Sequence, residues 1–226
     1  MFDYNEYEKR ISDLFSRWCD AHRTEKSCQE TKLPDIEQKS FIRDGVVSDN
    51  YDGVLFIMKE ANILRHRESE EPSTRTQLKW YQDYYTKGMG DNRPKQLEKI
   101  ARMYLALSRI TVQEHVHHAL GRVAIMNLNK RGGGNKEDTH VLAYTKQYKE
   151  FILEQIRIME PEKIIVLGTD NILTKAIPEL NKKYPIIPMW HTAYTRSPKQ
   201  GYINVENYIS EFKKRLDTKP RPDGDN

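Results

Sequence analysis

Four short apolar runs limit what this chain can fold into: residues 53–58 (GVLFIM), 122–128 (RVAIMNL), 163–167 (KIIVL) and 185–189 (PIIPM). Each is rich in β-branched residues, has the length of a strand, and lacks the apolar-polar alternation of a half-exposed one. Continuous apolarity predicts strands covered on both faces, as in a parallel sheet. The stretches between them carry helical spacing instead. Residues 93–119, with Leu97, Ile100, Ala101, Tyr104 and Leu105 in one stripe, read as one or two helices. Residues 139–160 read as another, capped by Asp138 or Thr139 and stopped before Pro161, and residues 169–182 and 202–216 complete the set. Strands alternating with helices predict an α/β fold, a three-layer α/β/α sandwich around a central, mainly parallel four-stranded sheet.

Ahead of these runs, residues 3–23 place Tyr7, Ile11, Leu14, Phe15 and Trp18 at helical spacing, which predicts an amphipathic helix packed on the main domain. Residues 24–50 are polar and irregular and receive no element. The expected organisation is an N-terminal helix and extension over 1–50, an α/β domain over 51–217, and a Pro/Gly/Asp-rich disordered tail over 218–226. No window approaches the ~20 consecutive apolar residues of a membrane span. The N-terminus lacks the basic-then-apolar order of a signal peptide. A cytoplasmic monomer that does not use a membrane as partner is expected. Cys19 and Cys28 are the two cysteines, too few for a disulfide framework or a four-thiolate site within one chain.

In an open parallel sheet, ligands bind beyond the carboxyl ends of the strands. The runs exit into Lys59-Glu60-Ala61-Asn62, into Asn127 through Asn135, into Gly168-Thr169-Asp170-Asn171, and into Trp190-His191-Thr192-Ala193-Tyr194. Converging, these ends would bring a carboxylate, a carboxamide and an imidazole together, a set suited to polar recognition of a heterocycle with acid/base chemistry. The spaced His115, His117 and His118 read as a solvated helix end, since neighbouring helical residues point to different faces. The glycines Gly132–Gly134 lack the Lys-Ser/Thr of a phosphate-binding P-loop. No metal and no cofactor is expected.

The order of these motifs resembles the uracil-DNA glycosylase superfamily, in particular branches with a glutamate in the first motif. There an apolar strand ends in Gly-Glu-Ala-Pro, and Lys59-Glu60-Ala61-Asn62 is similar. An Asn ending a strand before a basic loop is matched by Asn127 through Asn135, a strand ending Leu-Gly by residues 164–169 (IIVLGT), and a late His-Pro-Ser by His191-Thr192-Ala193. The resemblance spans about residues 50 to 215. It departs at Lys59 and Asn62, at Gly132 and Gly133 in place of prolines, and at Thr192-Ala193. The two cysteines exclude a cluster held by four cysteines of this chain.

What the resemblance implies is a monofunctional DNA glycosylase that flips uracil or a modified pyrimidine and hydrolyses its N-glycosidic bond. Glu60, Asn127 and His191 would be catalytic, with Asn127, Tyr81 and Met58 holding the base. Lys130, Arg131, Thr169, Tyr194 and Arg196 would meet the DNA. Two other readings remain open: a glycosylase selecting a hypermodified phage base, and a non-catalytic nucleic-acid or nucleotide binder on the same scaffold. Charge bears on the partner. Against 37 Lys+Arg and 33 Asp+Glu overall, residues 121–149 hold six basic and two acidic side chains, and residues 182–205 hold four basic and none acidic. That local excess predicts a phosphate-facing surface.

Overall fold

The computed structural model describes residues 2–24, 41–62, 77–88, 95–110, 116–133, 138–194, 196–197 and 201–218. Strands β1 (Gly45–Val46), β2 (Val54–Asn62), β3 (Val123–Gly133), β4 (Lys163–Leu167) and β5 (Ile186–Met189) make one sheet in the order β1-β3-β2-β4-β5. The four apolar runs supply β2 to β5, and these are parallel to one another. The expected four-stranded sheet is corrected to a mixed, five-stranded one. The added strand, β1, pairs antiparallel with β3, Gly45 opposite Ile125 and Val46 opposite Ala124. Two residues are too few to show a period, so this edge carries no signal of its own in residues 24–50. A short ribbon of β6 (Arg196–Ser197) and β7 (Gly201–Tyr202) follows β5.

Helices cover both faces, and each strand divides its side chains between them, as a strand must. On the first face, Leu55, Ile57, Ala124, Met126, Ile164 and Val166 meet helices α1 (Tyr4–Thr24), α4 (Asp138–Gln147), α5 (Lys149–Met159), α6 (Asp170–Ala176) and α7 (Leu180–Lys183). On the second, Val54, Phe56, Met58, Ile125, Ile165 and Leu167 meet α2 (Gln77–Lys87), α3 (Lys95–Leu107), a 3-10 turn over Val116–Arg122 and α8 (Val205–Thr218). The stretch 139–160, expected as one helix, breaks at Tyr148. That residue leaves helical geometry at φ −102°, ψ 22° and buries its ring against Trp18 and His22. The second piece ends on Glu160 in the left-handed conformation, just before Pro161. Among the described residues no helix is long and apolar enough to cross a membrane.

Topology fixes where a ligand can enter. The chain leaves β2 for helices on the second face, but leaves its neighbours β3 and β4 for helices on the first. The exits therefore diverge around the carboxyl end of β2, the position at which an open α/β sheet forms its ligand crevice.

Helix α1 belongs to the first core: Leu14 and Trp18 are fully buried, with Trp18 stacked on Phe151 at 5.4 Å. Trp18→Ala is expected to lower unfolding free energy by about 3–5 kcal/mol. Urea denaturation giving a loss under about 1 kcal/mol would mean that α1 is an accessory to the domain.

Candidate active site

β2 and β3 run four to five residues past their apolar cores, so Glu60 and Asn127 sit on paired strands rather than in loops. Met58 lies opposite Asn127, and Glu60 opposite Asn129. Residues 54, 56 and 58 face the second core, which puts Glu60 on that side of the crevice. Its half-buried carboxylate accepts a hydrogen bond of 3.2 Å from the Asn129 amide. Asn127 is one residue pair deeper, fully buried, with Met58 beside it at 9% exposure.

Beneath Asn127 lies a buried acid. Asp44, entirely out of solvent just before β1, accepts from the Asn127 backbone N–H at 2.7 Å and the Asn127 side-chain Nδ2 at 3.1 Å. Its other oxygen accepts from Lys130 Nζ and, at 2.9 Å, from Gln155 Nε2. Among the described residues, Asn127 Oδ1 is buried without a hydrogen-bond partner.

His191 comes from the far side of the crevice. The chain turns at Gly168, φ +71°, whose N–H donates to Met189 O at 2.8 Å. A Cβ there would lie 3.0 Å from His191 Cβ and 3.1 Å from its backbone nitrogen, so only glycine lets the two exits approach. His191 Nδ1 accepts the Ala193 N–H at 3.2 Å. The proton of the neutral ring is therefore on Nε2, the nitrogen left to donate. Burial, and then the nearby cations Lys59 and Lys99, hold the imidazole below the ordinary histidine pKa, keeping it neutral. Lys99, 2% exposed on α3, fastens this loop by donating to Thr192 O at 2.7 Å and Tyr194 O at 3.1 Å.

Several expected site residues do other work. Lys130 is fully buried on Asp44, with the rings of Trp18 and Phe15 at 5.5 and 5.8 Å, and cannot reach a phosphate. Arg131 is 7% exposed, lies over Tyr144 and Tyr148, and donates to the Tyr148 hydroxyl at 3.3 Å. Lys130 reaches the first face by the same alternation as Ala124, Met126 and Leu128, and Arg131 joins it because β3 bulges: Glu60 to Asn62 on β2 spans Asn129 to Gly133 on β3. Removing these two leaves four basic against two acidic side chains in residues 121–149. Thr169 is also buried, its hydroxyl donating to Ile57 O at 3.4 Å. Tyr81 is fully buried in the second core and is no open stacking platform. Tyr194, by contrast, is 37% exposed and leans on Trp190 at 5.7 Å, beside His191. Arg196 pairs with Tyr202 in the ribbon, but its side chain, like Gly134, Asn135, Cys28, His115 and the tail after 218, lies outside what is described. His117 and His118 pack edge-on to Tyr84 and Tyr85. Among the described residues no cluster of three metal-ligating side chains forms.

Comparison with family models and with curated proteins finds no match for this chain. The residues alone carry the chemistry. Asp44, Lys99 and Asn129 enter the site without having been singled out in the sequence. Asp44 had a signal: a lone acid inside the apolar segment FIRDGVV.

Lys99→Met removes the donor to two loop carbonyls, with an expected loss of about 1–3 kcal/mol. It also removes a cation that depresses His191, so the imidazole pKa should rise toward 6.5 in an NMR titration. A depressed pKa means the unfolded chain binds the proton first. Stability contributed by His191 is thus complete above the unfolded value of 6.5 and is lost as pH falls toward the folded pKa. An unchanged titration in Lys99→Met would remove Lys99 from the electrostatics of the site.

Proposed function

We propose that this protein is a monofunctional DNA glycosylase that extrudes uracil or a modified pyrimidine and hydrolyses its N-glycosidic bond. The observation that carries the reading is the tautomer of His191: a neutral ring with its Nε2–H left to donate, in a cationic setting, across the crevice from a carboxylate. Glu60 and His191 are separated by the end of β4. Two strand spacings are roughly 10 Å, comparable with the length of a pyrimidine nucleoside. The motif order that resembles the uracil-DNA glycosylase superfamily supports the same assignment.

Cleavage of the bond between C1′ and the ring nitrogen leaves positive charge on the sugar and sends the electron pair into the base. His191 Nε2–H donates to the oxygen on which that negative charge collects, and the fixed charges of Lys59 and Lys99 favour it. Glu60 faces the sugar, offsets its charge and orients the water that adds to C1′. The proton of that water leaves through the carboxylate or solvent, and the products are the free base and an abasic site. Asn127 reads the edge of the base, and Met58 packs beside it. Tyr194 and Trp190 provide exposed aromatic surface next to His191 for the opened stack or the strand. Among the described residues no lysine is placed as a Schiff-base nucleophile, and strand cleavage is not part of the proposed reaction.

Oligonucleotides carrying uracil, mismatched thymine or enlarged modified pyrimidines, single-stranded and duplex, followed by alkaline cleavage, test this directly. Glu60→Gln and His191→Ala should each slow base release by about 10²- to 10³-fold. DNA affinity in the same variants should stay within about threefold. Folded wild-type protein that releases no base from the whole panel would sink the enzyme reading, and retained affinity would then leave a binding module.

A further inference from the structure

We propose that Asp44 is a specificity-setting positioning residue, which locks the amide of Asn127 in one orientation and so restricts the site to pyrimidines bearing an N–H on the edge that meets Asn127. This rests on the glycosylase reading of the crevice and names a determinant of its substrate choice.

An asparagine amide has a donor end and an acceptor end of nearly the same shape, so an unrestrained one can serve either kind of base edge by rotating half a turn. Here rotation is blocked. Asp44 Oδ2 sits 3.1 Å from Asn127 Nδ2 and 2.7 Å from the backbone N–H of the same residue. Turning the amide over would set a carbonyl oxygen against a carboxylate in a site with no solvent. Asp44 is held in place by Lys130 and Gln155, which occupy its other oxygen. Oδ1 of Asn127 is consequently the acceptor that faces no partner among the described residues, while fully buried. A buried acceptor without a donor is costly, and a ligand that brings one removes the cost. The 3-N–H of a uracil-type base and the 4-amino group of a cytosine-type base both supply it. A pyrimidine alkylated at that nitrogen does not.

The test compares wild type with Asp44→Asn, whose side chain has the same shape but can accept from Asn127 or donate to it. Substrates are oligonucleotides with uracil, 3-methyluracil, cytosine and N4,N4-dimethylcytosine. Matching 2′-fluoro oligonucleotides, which resist cleavage, report binding. Wild type should discriminate against the methylated partner of its preferred base by at least about 100-fold in kcat/KM, since a site built around a hydrogen bond rejects the analogue lacking it. In Asp44→Asn the discrimination against the methylated partner should narrow by about tenfold or more. If Asp44→Asn does not fold, Asp44→Asn with Lys130→Met removes both buried charges and replaces it. Gln155→Leu loosens the same cluster without freeing the Asn127 amide, so it should lose stability yet keep the wild-type preference. Turnover by folded Asp44→Asn with wild-type preference would overturn the role of Asp44 alone. Base-selective binding without turnover, relaxed in Asp44→Asn, would overturn the enzyme reading and support the positioning role. Neither turnover nor base-selective binding in wild type would overturn both.

Discussion

The buried carboxylate of Asp44 is the interaction on which the rest of the structure turns. It receives four donors from three residues on two elements: two from Asn127, one from Lys130 beyond it on β3, and one from Gln155 on α5. An isolated ion in such a place would cost several kcal/mol, about as much as a whole domain has to spare. The carboxylate survives there because every donor is supplied by an element that must be correctly placed. A register slip of one residue on β3 would turn Asn127 to the other face and leave Asp44 unsatisfied. The ion pair therefore contributes little net stability and much discrimination between pairings. The edge strand β1 is only two residues long, and this contact helps to fix it.

The same cluster joins the N-terminal helix to the crevice. Lys130 lies against Trp18 and Phe15 of α1 while its ammonium holds Asp44, and Asp44 holds Asn127. Desolvation pushes the Lys130 pKa down, and the contact with Asp44 opposes that push. Tyr7 adds a second tie by accepting the Val46 N–H at its hydroxyl, over a glycine, Gly45, that has no side chain to obstruct it. Residues 2–24 and 41–50 thus enter the base of the site physically, although they precede every motif that points to function.

Those motifs were legible because apolar periodicity reports burial. Runs covered on both faces read as parallel strands, and Tyr7 through Trp18 read as a helix face. What stayed hidden was chemistry that periodicity does not encode. Lys130 and Arg131 follow an apolar strand and precede glycines, the pattern of a basic loop, yet the strand continues and its alternation, with a bulge at Arg131, carries them into the interior. Tyr81 reads as a base-holding residue because aromatic residues serve both purposes; with Tyr84, three residues on, it forms the inner face of α2, for which no element was expected. Glu60 and His191 were found through their place after strands. Their partners Asn129 and Lys99 were not, since the first pairing depends on register and the second on a helix more than ninety residues back in the chain.

The two flanks of the crevice differ in charge in a way that bears on why His191 is kept neutral. An imidazolium would be the stronger donor to a departing anion, but it would have to hold its proton at neutral pH beside Lys59 and Lys99, both of which oppose that. With a neutral ring, the positive field comes instead from two side chains that are fixed elsewhere: Lys59 on Asp138 at 3.0 Å, Lys99 on two loop carbonyls. The field then needs no reorganisation as charge develops, which is the condition under which electrostatic stabilisation is most effective. Glu60, across β4, supplies the opposite sign. On the glycosylase reading, that polarity sets the direction of the substrate, with the sugar toward Glu60 and the oxygen that collects the negative charge toward His191.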